Sequence, residues 1–196
     1  MERGAVKGFL RSDYAVLGCL AGVKLLIHFL LNGRYGYMRD ELYFIACGER
    51  LDWGYVDIGP LVPWLGRLSR EVLGESLFAL RFFPAVAGAA TVFLTGILAK
   101  EMGAKRTGQV IAALCVLIAM IWLLGQNILA LPSFEPLFWV LCAYFIARIV
   151  NTGDERYWIG VGAAAGIGLL NKPSMVFFGA ALVVAMVLTP LRRHFK

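Results

Sequence analysis

Apolar residues fall along the chain in blocks of roughly the length a bilayer demands of a helix, about 17 to 25 residues, separated by short stretches that collect nearly all the charges. The blocks predict spans at about 14–31, 77–99, 108–125, 134–150, 157–170 and 174–188. The fifth is short for a crossing. The run Asn171, Lys172, Pro173 divides it from the sixth, because proline removes a backbone donor and clashes with the preceding turn.

A different pattern occupies the segment between the first two spans, 33–76, about 44 residues and far longer than a helix hairpin needs. Within it Leu61, Trp64, Leu65, Leu68 and Val72 recur at helical spacing after Pro60 and end at Gly74, which predicts an amphipathic helix. A preceding helix is expected at about 40–48. Tyr35, Tyr37, Tyr43, Trp53, Tyr55 and Trp64 are aromatics of the kind that favours a bilayer interface, so this loop is expected to lie on the membrane surface. The pattern as a whole predicts an all-α, polytopic transmembrane bundle of about six spans, a single unit over 1–196 with one long loop.

Composition strengthens the membrane reading. The chain is 60% hydrophobic and 16% charged, with a mean hydropathy of +0.73, too apolar for a soluble domain of 196 residues. Charge adds orientation. Arg3, Lys7 and Arg11 precede the first span; Lys100, Lys105 and Arg106 follow the second; Arg148 and Arg156 bracket the next even loop; Arg192, Arg193 and Lys196 close the sequence. Short cytoplasmic loops hold an excess of Lys and Arg. Both termini are therefore expected in the cytoplasm, with the long loop and Lys172 on the extracytoplasmic face of the plasma (inner) membrane. The pI of about 9.3 then reflects topology and anionic lipid headgroups, and nothing separate supports a nucleic-acid partner.

The first apolar run exceeds the core of a signal peptide, about 7 to 15 residues, and no A-x-A site follows, so it reads as a retained anchor. Cys19, Cys115 and Cys142 lie inside spans and Cys47 in the loop, a spacing that excludes a CxxC metal site and a disulfide framework. Gly-rich phosphate loops, zinc spacings and Ser-His-Asp arrangements are not visible either. No cofactor is predicted, and no residue motivates a divalent metal.

The candidate chemistry is acidic. Asp40, Glu41, Glu49, Asp52, Asp57, Glu71 and Glu75 lie in the loop, and most need only solvent or the loop arginines. Asp40 carries two readings. It opens an apolar-periodic segment, as a helix N-cap does; it also shares a membrane face with Glu41, Asp57, Glu135 just inside the fourth span, and Lys172. Ionisable groups near hydrocarbon are costly and tend to be functional. Lys24 and His28 stand one turn apart in the first span, and Gly162 with Gly166 forms a GxxxG read as helix packing.

The stretches YGYMRDELYFIACGERLDWGYVDIGPLVPWL, LFALRFFPAVAGAATVFLTGILAKEMG, SFEPLFWVLCAY and GIGLLNKPSMVFF together resemble bacterial members of the dolichyl-phosphate-mannose protein mannosyltransferase-like superfamily. These are membrane glycosyltransferases of the GT-C fold, relatives of the lipid A aminoarabinose transferase. The resemblance covers nearly the whole chain in order. It implies a polyprenyl-phosphate-sugar donor, a lipid, glycan or protein acceptor, an extracytoplasmic active site, and an acidic residue of the first loop acting at the acceptor. Asp40 and Glu41 match that acidic pair. Lys172 matches the family's lysine in its turn and is expected, with Arg39, to contact the donor phosphate; Asp57 and Glu135 are expected to support them. The sequence departs from the family at Ile58 and Gly59, where Gln-Pro or Pro-Pro is common, at Pro173, where Tyr is common, and in the run before SFEP. Family members generally run to several hundred residues, so the chain is expected to be the N-terminal part of a GT-C transmembrane domain. The competing classes are a transporter component, which would also use intramembrane charge and broken helices, and a non-catalytic scaffold. A transporter leaves the long aromatic, acidic loop unexplained.

Overall fold

The structure, a computed structural model, describes residues 13–189; Arg3, Lys7, Arg11, Arg192, Arg193 and Lys196 of the charge pattern lie outside the described residues. Regular structure among the described residues is entirely helical. The helices are α1 (Asp13–Leu31), α2 (Arg39–Glu49), α3 (Leu61–Leu73), α4 (Leu77–Leu80), α5 (Phe82–Glu101), α6 (Arg106–Ile118), α7 (Met120–Gly125), α8 (Leu131–Thr152), α9 (Tyr157–Asn171) and α10 (Met175–Leu188). The α5 helix is the axis, packed against α1, α6 and α8, with α9 on the next face of α8 and α10 against α9.

Three stretches are long and apolar enough to cross a bilayer: 19 residues in Asp13–Leu31, 25 in Leu77–Glu101 and 22 in Leu131–Thr152. The apolar helices α6, α9 and α10 are shorter, at 13, 15 and 14 residues, against the roughly 20 that a perpendicular crossing takes.

Small residues set the packing. In α5 the buried side is Ala85, Ala87, Gly88, Thr91, Val92 and Gly96, and small side chains let neighbouring backbones approach closely. Leu17 of α1 fills the space that a side chain at Gly96 would take. Leu17, Val92, Ala113 and Leu117 form one cluster joining α1, α5 and α6. A larger cluster runs from Phe44 and Val62 through Leu80 and Leu129 to Phe138 and Met175, so the loop helices share their core with the bundle.

Two expectations change. The third span, expected as one helix over 108–125, breaks at Ala119, whose backbone is extended (φ −60°, ψ 117°). No helix breaker marks this point in the sequence. The residues after it are held instead by tertiary bonds: Ser133 Oγ contacts the carbonyls of Gly125 and Ile128, each at 2.7 Å, and the Leu129 amide reaches Glu41.

The α3 helix forms where expected, with Leu61 and Leu65 of its apolar stripe packed on the core beside the buried Val62, Pro63, Gly66 and Ser69, and with Leu68 and Val72 45% and 70% exposed. The small face lets α3 lie close to α2 at Gly48, and the Ser69 hydroxyl donates to the Ala79 carbonyl at 2.7 Å. The exposed end of the stripe, Leu68 and Val72, suits a helix whose surroundings include lipid.

Gly162 and Gly166 pack against nothing within 4 Å of an added Cβ, contrary to the GxxxG reading. The close helix contacts are made instead at Gly160, against the Phe145 ring, and at Gly168, against Met175 and Phe138.

The end of the bundle away from the loop is tied by polar bonds. Arg148 donates to Glu101 at 3.1 Å and to the Tyr157 hydroxyl at 2.8 Å, and Asn151 donates to the Glu101 carbonyl at 2.6 Å. These join the end of α5, the end of α8 and the start of α9.

Candidate functional site

At the loop end, α2 opens on Met38 as its N-cap, in extended conformation (φ −79°, ψ 151°), so Asp40 lies inside the first turn and is not the cap. The capping carboxylate is Glu41, three residues after Met38, whose Oε2 accepts the Met38 amide at 2.9 Å. Its Oε1 accepts the Leu129 amide at 3.1 Å. Arg81 closes the arrangement with two parallel bonds, Nε to Oε1 at 2.8 Å and Nη2 to Oε2 at 2.7 Å, the bidentate geometry that makes arginine–carboxylate pairs strong.

The remaining donors of Arg81 go to backbone carbonyls: Asn32 at 2.8 Å, Tyr35 at 3.2 Å and Gly36 at 2.8 Å. Glu41 is 0% and Arg81 1% exposed. A buried ion pair is tolerable only when further bonds satisfy both groups, and here they do. Arg81 stands at the joint between α4 and α5, so it ties the end of α1 and the start of α2 to that joint, and Glu41 adds the 126–130 segment through the Leu129 amide. The sequence reading passed over Arg81. A lone arginine inside LFALRFFPAV was the available signal, since an ionisable residue in an apolar span is costly without a partner.

The neighbouring carboxylate has the opposite surroundings. Asp40 is 60% exposed in its side chain and lies 3.5 Å from Arg39 Nε, itself 97% exposed. Its oxygens face outward from the first turn of α2.

One turn along α2, the Tyr43 hydroxyl donates to Asp57 Oδ1 at 2.6 Å. That bond holds the Tyr43 phenol above its ordinary pKa. Two residues after Asp57 the backbone meets the bundle: a Cβ at Gly59 would stand 2.1 Å from the Leu170 carbonyl oxygen, so only glycine permits this approach. The loop thus rests on the last turn of α9.

The turn after α9 carries the second ion pair. Asn171 Nδ2 donates to the Leu131 carbonyl at 3.0 Å, Lys172 Nζ to Glu135 Oε2 at 3.2 Å, and the Ser174 hydroxyl to Glu135 Oε1. Glu135 and Lys172 keep 20% and 38% of their side-chain surface. The structure therefore joins Glu135 to Lys172, Asp40 to Arg39 and Glu41 to Arg81 as three separate groups. Steps of contact through Tyr43, Asp57, Gly59 and Leu170 put the first two at the same end of the bundle. Tyr43 and Ser174 are further participants that the sequence reading did not single out. Among the described residues no three His, Cys, Asp or Glu side chains converge as a metal site.

No curated protein and no solved structure matches the chain. The profile of the family described as dolichyl-phosphate-mannose-protein mannosyltransferase matches residues 57–196, a range that includes Asp57, Glu135 and Lys172 and begins after Arg39, Asp40 and Glu41. With that match over most of its length, and with apolar helices long enough to cross a bilayer, the chain belongs to the dolichyl-phosphate-mannose-protein mannosyltransferase family and is a membrane glycosyltransferase of the GT-C type.

Proposed function

We propose that this enzyme transfers a sugar from a polyprenyl-phosphate carrier to an acceptor hydroxyl on the extracytoplasmic face, with Asp40 as the general base. The observation that carries the reading is the contrast within the acidic pair. Glu41 is enclosed and fully bonded, whereas Asp40 is exposed on a helix turn that Glu41 holds in place. In the step, the acceptor oxygen bonds to the sugar C1 while its proton passes to the Asp40 carboxylate. The bond from C1 to the carrier oxygen breaks, and its electron pair leaves on the lipid phosphate.

Charge gathering on that phosphate calls for fixed cations. Lys172 serves there, moving from Glu135 toward the phosphate, with Arg39 as the second cation. Glu135 holds Lys172 and Ser174 ready, and Asp57 supports through Tyr43. Glu41 is assigned a positioning role rather than proton transfer, since four bonds occupy its two oxygens. The topology that goes with this reading has about six spans, both termini in the cytoplasm, and residues 1–196 as the N-terminal part of a longer transmembrane domain. The family match supports sugar transfer; the role of Asp40, which precedes the matched range, rests on the geometry of the α2 turn and on the resemblance of its acidic pair.

The test is Asp40→Asn in the longest form of the protein. Because Met38 is the cap and Asp40 is exposed, this variant is expected to fold and to bind donor as the parent does. Transfer is expected to fall by about a hundred- to ten-thousandfold, the range typical of a lost general base. Near-normal turnover would overturn the assignment and direct attention to Asp57.

A further inference from the structure

The segment between the break at Ala119 and the buried Leu129 is fixed at its far end and lightly held before it. Ser133 Oγ bonds the Gly125 and Ile128 carbonyls, and the Leu129 amide bonds Glu41. The six residues of α7 bury no side chain. Met120, Ile121 and Leu124 are each more than half exposed, and α7 packs on α6 and α8, its neighbours in the chain. Toward α1 it faces a cavity of about 760 Å³, lined by Met120–Gly125 on one side and by Ile27, His28 and Leu31 on the other.

One side chain of this segment enters the bundle without a bond. Gln126 is 0% exposed and lies over Gly88 of α5 beside Lys24, yet among the described residues neither its oxygen nor its nitrogen has a hydrogen-bond partner. Lys24 and His28, with Asn32 just past the end of α1, stand at four-residue intervals, so one face carries all three. All three are buried, and Lys24 Nζ, His28 Nε2 and Asn32 Oδ1 are likewise unpartnered among the described residues. Asn127 Oδ1 stands 3.4 Å from His28 Nδ1, beyond the usual range of a hydrogen bond. Five polar atoms on four side chains are thus enclosed without compensation, and a buried polar group without a partner carries its full desolvation penalty. An apolar side chain at position 126 would seal this seam more firmly than Gln126 does.

We infer that α7 is a lid, hinged at Ala119 and latched by Gln126, whose opening joins the cavity to the polar face of α1. The extended backbone of Ala119 interrupts the helix between α6 and α7, a point that can take up a rotation without breaking either helix. Opening admits water to the five enclosed atoms, which offsets the packing lost at Gln126. Open and closed arrangements are therefore close in free energy, as an element that gates a cavity requires. The lid shares an anchor with the site described above, since Leu129 at its far end is bonded to Glu41. The inference requires no step of sugar transfer, and its test uses no donor.

Gly88 provides the test. A Cβ there would stand 2.8 Å from Gln126 Oε1 and 3.3 Å from Lys24 Cε, the ends of flexible side chains rather than backbone, so Gly88→Ala should push the latch outward while α5 stays helical. Gln126→Leu removes two of the uncompensated atoms and should hold the lid shut. Both are made in the full chain with its four cysteines replaced by alanine and His28→Cys as the reporter, and labelling by a small thiol reagent is timed in detergent. Because a buried thiol reacts through the open state, labelling at position 28 should quicken about tenfold in Gly88→Ala and slow about tenfold in Gln126→Leu. Val92→Cys, at a position of α5 that is 0% exposed, is the control and should stay unlabelled in every background. Equal rates at position 28 in the three forms would show that Gln126 latches nothing, and a rise at position 92 matching that at 28 would show a general loosening of the bundle; either overturns the inference. Should Gly88→Ala fail to fold, an unchanged rate in Gln126→Leu overturns it alone.

Discussion

Glu41 and Glu135 each face a cation, Arg81 at 2.7 Å and Lys172 at 3.2 Å. Distance alone would rank the two pairs as similar. They differ in what remains after the pair is made. The Arg81 guanidinium spreads its donors over a carboxylate and three carbonyls, and neither partner is exposed. The Lys172 ammonium is a point charge with three rotatable donors, bonded to Glu135, on a side chain still 38% exposed. Saturation therefore separates the groups that hold the site together from the groups able to exchange a protein partner for a substrate.

The comparison breaks most sharply at Arg81. Arg81→Ala leaves Glu41 buried and uncompensated, which is expected to cost about 3–5 kcal/mol of stability, seen as a large fall in the thermal midpoint of the detergent-solubilised protein. Arg81→Lys should recover only part of it, because an ammonium cannot reproduce the two parallel bonds and the carbonyl contacts together. A melting curve unchanged by Arg81→Ala would mean that the closed pair is not a tie at all.

Lys172→Ala addresses the open pair. Its effect is expected in binding rather than stability, as loss of one charge-assisted contact to phosphate, about 1.5–3 kcal/mol or roughly ten- to a hundredfold in donor affinity. A stability loss like that of Arg81→Ala, with donor affinity unchanged, would erase the distinction between the two pairs.

The smallest effect concerns Tyr43, which links α2 to Asp57. Its phenol is raised above the ordinary value by that bond, so the bond is intact at neutral pH and through the ordinary phenol range, and is lost as pH rises past the raised value. In an ultraviolet titration of the folded protein, subtraction of Tyr43→Phe from the parent should leave one tyrosine ionising late. A difference curve at the ordinary phenol position would show that α2 and Asp57 are not joined as described.

Much of the scaffold was legible in the sequence. The loop helices expected at about 40–48 and from Leu61 to Val72 are found at Arg39–Glu49 and Leu61–Leu73; the second announces itself by local periodicity between Pro60 and Gly74. The expected gathering of Asp40, Glu41, Asp57, Glu135 and Lys172 resolves into separate groups, of which Glu135 with Lys172 is one. The break at Ala119 was not anticipated, because nothing at that residue disfavours helix and the cause is the bonding of the residues beyond it.

What the sequence determined by itself is the list of apolar helices and the gathering of acidic and aromatic residues between the first two. A helix satisfies its own backbone, so local residues suffice to specify it in a membrane. What only the tertiary structure decided is which carboxylate of the acidic pair is available. Successive residues on a helix point about 100° apart, so one of Asp40 and Glu41 turns inward and the other outward. Which one does so depends on partners 40 residues away at Arg81 and 88 residues away at Leu129, a choice that no local pattern at positions 40 and 41 contains.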